Sequence, residues 1–238
     1  MIELSARDRA KVDDAVARIV EASGSGLIAV ALYGEAASPE YHAGRSPLSL
    51  VALVKEVKPA ILSALRPVAT RFRRRRIPTP LIVDPDYLDR ARDVFPLELL
   101  EIRERHCILA GDSEALARIE VDIVSLRREV EAEIRGKLLH LWEDYLTARS
   151  RRRLRTDILD SVPYFTHILR GMLHLRSAGA AIPIVPAVER EYGLVLPVLV
   201  RLEEVHRERR RIPLRELDTL FAAYLDEARA LARAADRL

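Results

Sequence analysis

Cysteine occurs once, at Cys107, which excludes a disulfide framework within the chain and a cysteine-based zinc site. Lysine is nearly as scarce: it stands only at 11, 55, 58 and 137, and the other 35 of the 39 basic residues are arginine. The net charge is only +3, so composition excludes a polybasic nucleic-acid binder. Aromatic residues make up 5% of the chain while Ala, Leu and Arg abound, a balance that favours helix over all-β architecture. No apolar run approaches the ~20 residues of a membrane span. The opening "MIELSARDRAKVDDAV" is charged and lacks the apolar stretch of a secretory signal, so a soluble cytoplasmic protein is expected, with no membrane partner. A Gly-x-Gly-x-x-Gly fingerprint, a Walker-type loop and a Gly-x-Ser-x-Gly elbow are absent as well.

What is present divides into two characters. Residues 5–22 place Val12, Val16, Ile19 and Val20 at the spacing of an amphipathic helix opening at Ser5. The apolar runs "LIAVALY" (27–33) and "LSLVALV" (48–54) predict strands, separated by the turn residues Gly34, Pro39, Gly44 and Pro47. A helix over about 57–74, a short strand at 80–83 and a helix starting with Asp84 as cap and Pro85 in the first turn follow. "FPLELLEI" (95–102) and "HCILAGD" (106–112) read as two more strands. From residue 119 the chain turns into long Arg/Glu/Leu-rich helical segments, 119–149, 154–177, 184–207 and 213–237. Short breaks between them predict an antiparallel bundle, with a domain 1–118 followed by a domain 119–238.

The segment "LYGEAASPEYHAGRSPLSLVALV" (32–54) has the layout of a phosphoryl-transfer site. Residues i and i+2 of a strand project to one face, and two carboxylates there can hold a pair of magnesium ions about 4 Å apart. A glycine-containing turn ahead of that strand lets backbone N–H groups approach a triphosphate. On "LYGEAAS" and "RSPLSLVALV" the chain resembles the polymerase-β-type nucleotidyltransferases, whose signature is Gly-Ser followed, after a spacer, by Asp-x-Asp on a strand. "DVFPLELLEIRERHCILAGD" (93–112) and "LRREVEAEIRGKLLHLWEDYL" (126–146) resemble a bacterial family of stand-alone nucleotidyltransferase-like proteins with a helical C-terminal domain. The resemblance implies an α+β fold: a nucleotidyltransferase-like mixed sheet with flanking helices, then an all-α antiparallel helical bundle.

At the site positions the match fails. The resemblance aligns Pro47 and Ser49 with the two metal-binding acids. Pro47 offers no side-chain oxygen, and Ser49 a neutral hydroxyl that binds magnesium poorly. Glu35 stands where the signature has a small hydroxyl residue, setting a negative charge where a triphosphate would sit. The third acid of such sites comes from a later strand, for which Glu98 or Glu101 is the candidate remnant. The expectation is therefore no catalytic residue, no metal and no cofactor, in a pseudoenzyme with a binding, regulatory or scaffolding role. A nucleotide, if held, would lie against Gly34, Glu35, Ser46 and Ser49. The partner is otherwise an unknown ligand or protein, or a second copy joined through the helical domain. The alternative is an active nucleotidyltransferase with displaced ligands, Glu35, Glu40 and Glu98 converging on Mg²⁺ and a nucleoside monophosphate passing from an NTP to an acceptor.

Other clusters carry weaker signals. "RFRRRR" (71–76) is read as a helix C-terminus, where cations oppose the dipole, ahead of an anion-binding patch. "RSRRRLR" (149–155) and "HRERRR" (206–211) follow the same logic, and an anion groove would need all three on one face. Arg135…His140 and Arg201…His206 match the Arg-x4-His spacing of small helical ribonucleases, and are read as surface arginines with helix histidines. His167 and His174 have Gly171 between them where a metal site needs a ligand. His106 and Cys107 are neighbours on a strand and point to opposite faces, so they form no dyad.

Overall fold

The structure, a computed structural model, describes residues 3–177, 183–208 and 210–238; the side chains of Val68, Thr70 and Arg71 lie outside that description. So do most of the "SAGAAIP" break and Arg209 of the "RRRIP" break. The chain divides into two compact units, Met1–Val121 and Asp122–Leu238.

The first unit is built on a four-stranded sheet. Strand β1 (Leu27–Tyr33) lies at its centre, between β2 (Ser49–Val54) and β4 (His106–Gly111), both antiparallel to it. The short β3 (Leu81–Val83) runs parallel to β2 at the edge. Side-chain alternation sorts the strands onto two faces. Val30, Leu32, Leu50, Ala52 and Val54 pack with α1 (Ala6–Ser23) and α2 (Pro59–Arg74) in one apolar layer. Ala31, Val51, Leu53 and Val83 form the opposite layer with Ala91 of α3 (Pro85–Ala91) and with Leu99 and Ile102 of α4 (Pro96–Glu104). Local chemistry fixes the helix starts: Ser5 accepts from the Asp8 N–H, and Asp84 accepts from the Tyr87 N–H while Pro85 opens α3.

One predicted strand is a helix. Residues 95–102 read as β because apolar residues crowd the run, yet Pro96 occupies the first helical turn of α4, where its missing N–H costs nothing. Leu97, Leu99, Leu100 and Ile102 are all buried, so the helix shows no clean polar stripe and its periodicity is masked. Glu98 and Glu101 therefore sit one helical turn apart, on no strand.

The second unit is helical: α5 (Ile123–Thr147), α6 (Arg151–Leu175), α7 (Ile184–Tyr192), α8 (Pro197–Glu208) and α9 (Leu217–Ala235). Leu126, Val130, Ile134, Leu138 and Leu141 line the buried side of α5, which packs against α6 and α9. Phe165 meets Tyr224 edge-on at 5.5 Å, and the Tyr224 hydroxyl is hydrogen-bonded to Ser161. The segment expected as one helix over 184–207 is two, because Gly193 takes a left-handed conformation and ends α7, and Pro197 opens α8. Glu227 reaches across to accept from the Val198 and Leu199 N–H groups, capping α8 from α9. Among the described residues no helix is long and apolar enough to cross a membrane.

Gly111 closes β4 against the β1 backbone. Its φ is +89°, and a Cβ there would lie 2.1 Å from the Ile28 carbonyl oxygen. Gly111→Ala should lower stability by roughly 3 kcal/mol in urea denaturation, whereas Gly26→Ala, with nothing within 4 Å, should stay within about 0.5 kcal/mol of the parent.

Candidate functional site

The connection from β1 to β2 forms the candidate site. It leaves β1 at Gly34, makes a single 3-10 turn over Gly34–Ala37, and returns through Ser46, Pro47 and Leu48 to Ser49. Ser49 stands directly across from Tyr33, which on its other side faces His106 of β4. Those three residues form one row across the end of the sheet, on the face that packs against α4. The next row on that face, Val51, Ala31 and Ile108, is apolar. No strand of the sheet carries an aspartate or a glutamate.

The acids nearby come from the loop and from α4, and each is already engaged. Glu98 accepts from the Tyr33 hydroxyl at 2.9 Å. Burial raises the Tyr33 phenol pKa, and the neighbouring Glu98 charge adds to the effect, so the phenol stays protonated and donating. Glu35 accepts from the buried Ser46 hydroxyl at 2.6 Å, and Ser46 in turn accepts from the His42 N–H at 2.8 Å. Glu40 and Glu101 share one cation. Arg105, 8% exposed at its side chain, donates through Nη2 to Glu40 at 2.5 Å and through Nη1 to Glu101 at 2.8 Å. The same Nη2 donates to the Ser38 hydroxyl, and the Arg105 carbonyl accepts from the Gly34 N–H at 2.8 Å. Glu101 lies close against the turn, its Oε1 3.4 Å from where a Gly34 Cβ would be.

The loop is fastened from the other face too. Asp8 of α1, 1% exposed, accepts from Lys11 Nζ at 2.7 Å, Arg76 Nη2 at 2.7 Å, the Gly44 N–H at 2.9 Å and the Tyr41 hydroxyl at 3.0 Å. Arg76 also donates to the Ser46 carbonyl at 2.9 Å, and its own carbonyl accepts from the Leu48 N–H. It holds this position at φ +65°, an uncommon conformation for a residue with a side chain. Arg75 pairs with Asp14 of α1 at 2.6 Å. Thus the end of the "RFRRRR" run braces the loop against α1, while Arg73 and Arg74 are exposed.

The structure thus places Gly34, Glu35 and Ser46 in one closely bonded loop, with Glu35 and Ser46 bonded to each other. Ser49 lies half-buried at the start of β2, and Pro47 is exposed just ahead of it. Glu35 bonds to Ser46, Glu40 to Arg105 and Glu98 to Tyr33. A pair of magnesium ions needs several carboxylate oxygens held on rigid elements. Pro47, Ser49 and His106 at the sheet end, with Glu40 and Glu101 bonded to a guanidinium, do not fit that requirement. Asp8 was missed in the sequence, because an aspartate in a helix's first turn looks like an ordinary surface charge. Arg105 reads there only as an ordinary partner of Glu98 or Glu101, and in the structure it pairs with Glu101 and also reaches Ser38 and Glu40 of the loop. In the helical unit, Arg135 pairs with Asp236 and Arg201 with Glu216, so both Arg-x4-His arginines take part in exposed ion pairs.

No family model matches this chain, and no curated protein does. Among solved structures it is similar to the spectinomycin adenyltransferase AAD(9) from Enterococcus faecialis, crystallised with ATP and spectinomycin. The alignment covers 96% of this chain and 99% of that one, at 11% identity and a TM-score of 0.59. The toxin–antitoxin MntA-HpeT aligns over 55% of this chain and 98% of its own at 12% identity, with a TM-score of 0.33 that supports no argument. The chain has the fold of the polymerase-β-type nucleotidyltransferases: a mixed sheet with flanking helices, followed by a helical C-terminal part.

The Asp8 carboxyl is held well below the usual carboxylate range. Burial alone would raise it, but the bonds from Lys11, Gly44 and Tyr41 and the Arg76 charge outweigh that cost. Because its folded pKa is depressed, its stabilisation is complete above the ordinary Asp value of about 4 and is lost as pH falls through the folded pKa. Asp8→Asn should cost about 3 kcal/mol at pH 7, and in parallel denaturation curves the gap to the parent should narrow below pH ~4.

Proposed function

We propose that this protein is a nucleotidyltransferase-fold protein that does not transfer nucleotides and serves in binding, regulation or scaffolding. The observation that carries the reading is a sheet without a carboxylate, with Ser49 and His106 flanking Tyr33 at the end where the resemblance calls for acids. Three further features support it. The Gly34 N–H, which would otherwise meet a phosphate, is bonded to the Arg105 carbonyl. The Glu101 carboxylate abuts the same turn and would repel an anion there. The loop's remaining acids are bonded within the protein.

The fold neighbour was crystallised with ATP, so ATP is the first ligand to try, with GTP, CTP and UTP beside it. Titration calorimetry should show no heat that depends on Mg²⁺. Incubation with α-labelled NTPs should leave protein, RNA and small-molecule fractions unlabelled. Transfer of label by the wild type, abolished in Glu98→Gln, would instead establish the displaced-ligand enzyme. The scaffolding part of the reading draws on the helical unit, where Leu139, Trp142 and Leu146 lie exposed along α5. Light scattering of the full chain should give a mass above the 26.9 kDa monomer, and a monomer at high concentration removes self-association from the reading.

A further inference from the structure

We propose that two copies of this chain pair antiparallel through α5, about a two-fold axis between Leu139 and Trp142. The pairing rests on the scaffolding part of the reading above and names its partner. The buried side of α5 carries Leu126, Val130, Ile134, Leu138 and Leu141. Helical geometry puts Ala132, Arg135, Leu139, Trp142, Glu143 and Leu146 on the opposite side, where each is exposed. A surface helix normally turns polar residues that way. Here Leu139, Trp142 and Leu146, the last 83% exposed, make a second apolar stripe that the fold of the chain leaves in water.

Gly136 bears on what covers that stripe. It stands inside a 25-residue helix without a positive φ, and a Cβ there would meet nothing within 4 Å. Glycine weakens a helix interior relative to alanine, and among the described residues neither its backbone conformation nor its packing calls for it. With Ala132 one turn earlier it leaves a notch beside the apolar stripe, where a neighbouring helix can approach closely. In the antiparallel arrangement Leu146 of each copy falls over Ala132 and Gly136 of the other, and Leu139 and Trp142 meet the same pair across the axis.

Charge selects the same partner and the same direction. Arg128 and Arg135 lie in the N-terminal half of the exposed side and Glu143 in its C-terminal half. Antiparallel copies bring each Glu143 within reach of the other's Arg135, which also donates to Asp236 of its own chain. Parallel copies would set Arg135 against Arg135 and Glu143 against Glu143, which repel. One face thus supplies both knobs and notch, the self-complementary form that a two-fold dimer requires.

Sedimentation velocity on the full chain should give twice the 26.9 kDa chain mass. Gly136→Leu, which favours the helix but fills the notch, and Leu146→Glu should each weaken association roughly tenfold or more with helical circular dichroism unchanged. Glu143→Arg should weaken it as well, and Glu143→Arg/Arg135→Glu should restore it. A monomeric wild type, or a dimer indifferent to Gly136→Leu and Leu146→Glu, overturns the pairing. A Glu143→Arg loss that the double variant does not reverse overturns the antiparallel direction. Label transfer from an NTP would defeat the inactive reading and leave these masses unaffected, while a monomer would remove the pairing and leave that reading standing.

Discussion

Asp8 is a charged side chain with almost no access to water, and the arrangement of the first unit follows from the need to satisfy it. An ionised carboxylate in that position is tolerable only with several donors around it. The donors come from three places: Lys11 on its own helix, Gly44 and Tyr41 in the loop between β1 and β2, and Arg76 at the end of α2. Each is distant in sequence from at least one other, so meeting the requirement of one buried charge brings α1, the loop and the α2 terminus together. Arg76 accepts an uncommon backbone conformation in doing so, and with its second nitrogen fixes Ser46, the last loop residue before the strand-entry proline.

On the opposite face Arg105 plays the complementary part, a buried cation that needs acceptors. Glu40, Glu101 and the Ser38 hydroxyl provide them. The loop is thus held on one side by an acid surrounded by donors and on the other by a base surrounded by acceptors. Between the two anchors the chain is bonded inward: Gly34 to Arg105, Glu35 to Ser46, and Tyr33 at the end of β1 to Glu98.

Most of this framework was legible where local pattern controls structure. The runs 27–33 and 48–54 become strands because near-continuous apolar residues suit a sheet covered on both faces, and the cap at Asp84 with Pro85 opens α3 as its chemistry requires. Residues 95–102 were misread because burial on several sides removes the polar stripe that marks a helix, although Pro96 signalled its start. The break at Gly193 was likewise present in the letters and outweighed by the helical pattern around it. At the site, the positions Pro47 and Ser49 followed from alignment to a motif, but their surroundings did not. Asp8 and Arg76 are separated by 68 residues and Ser38 and Arg105 by 67, and no local pattern links residues so far apart.

A metal ion or a nucleotide occupies a site in proportion to its concentration, and leaves when that concentration falls. A guanidinium joined to the site by its own backbone does neither. Its local concentration is set by the chain and stays constant, so the Arg105 contacts at the Gly34 turn draw on no ion or nucleotide from the surroundings.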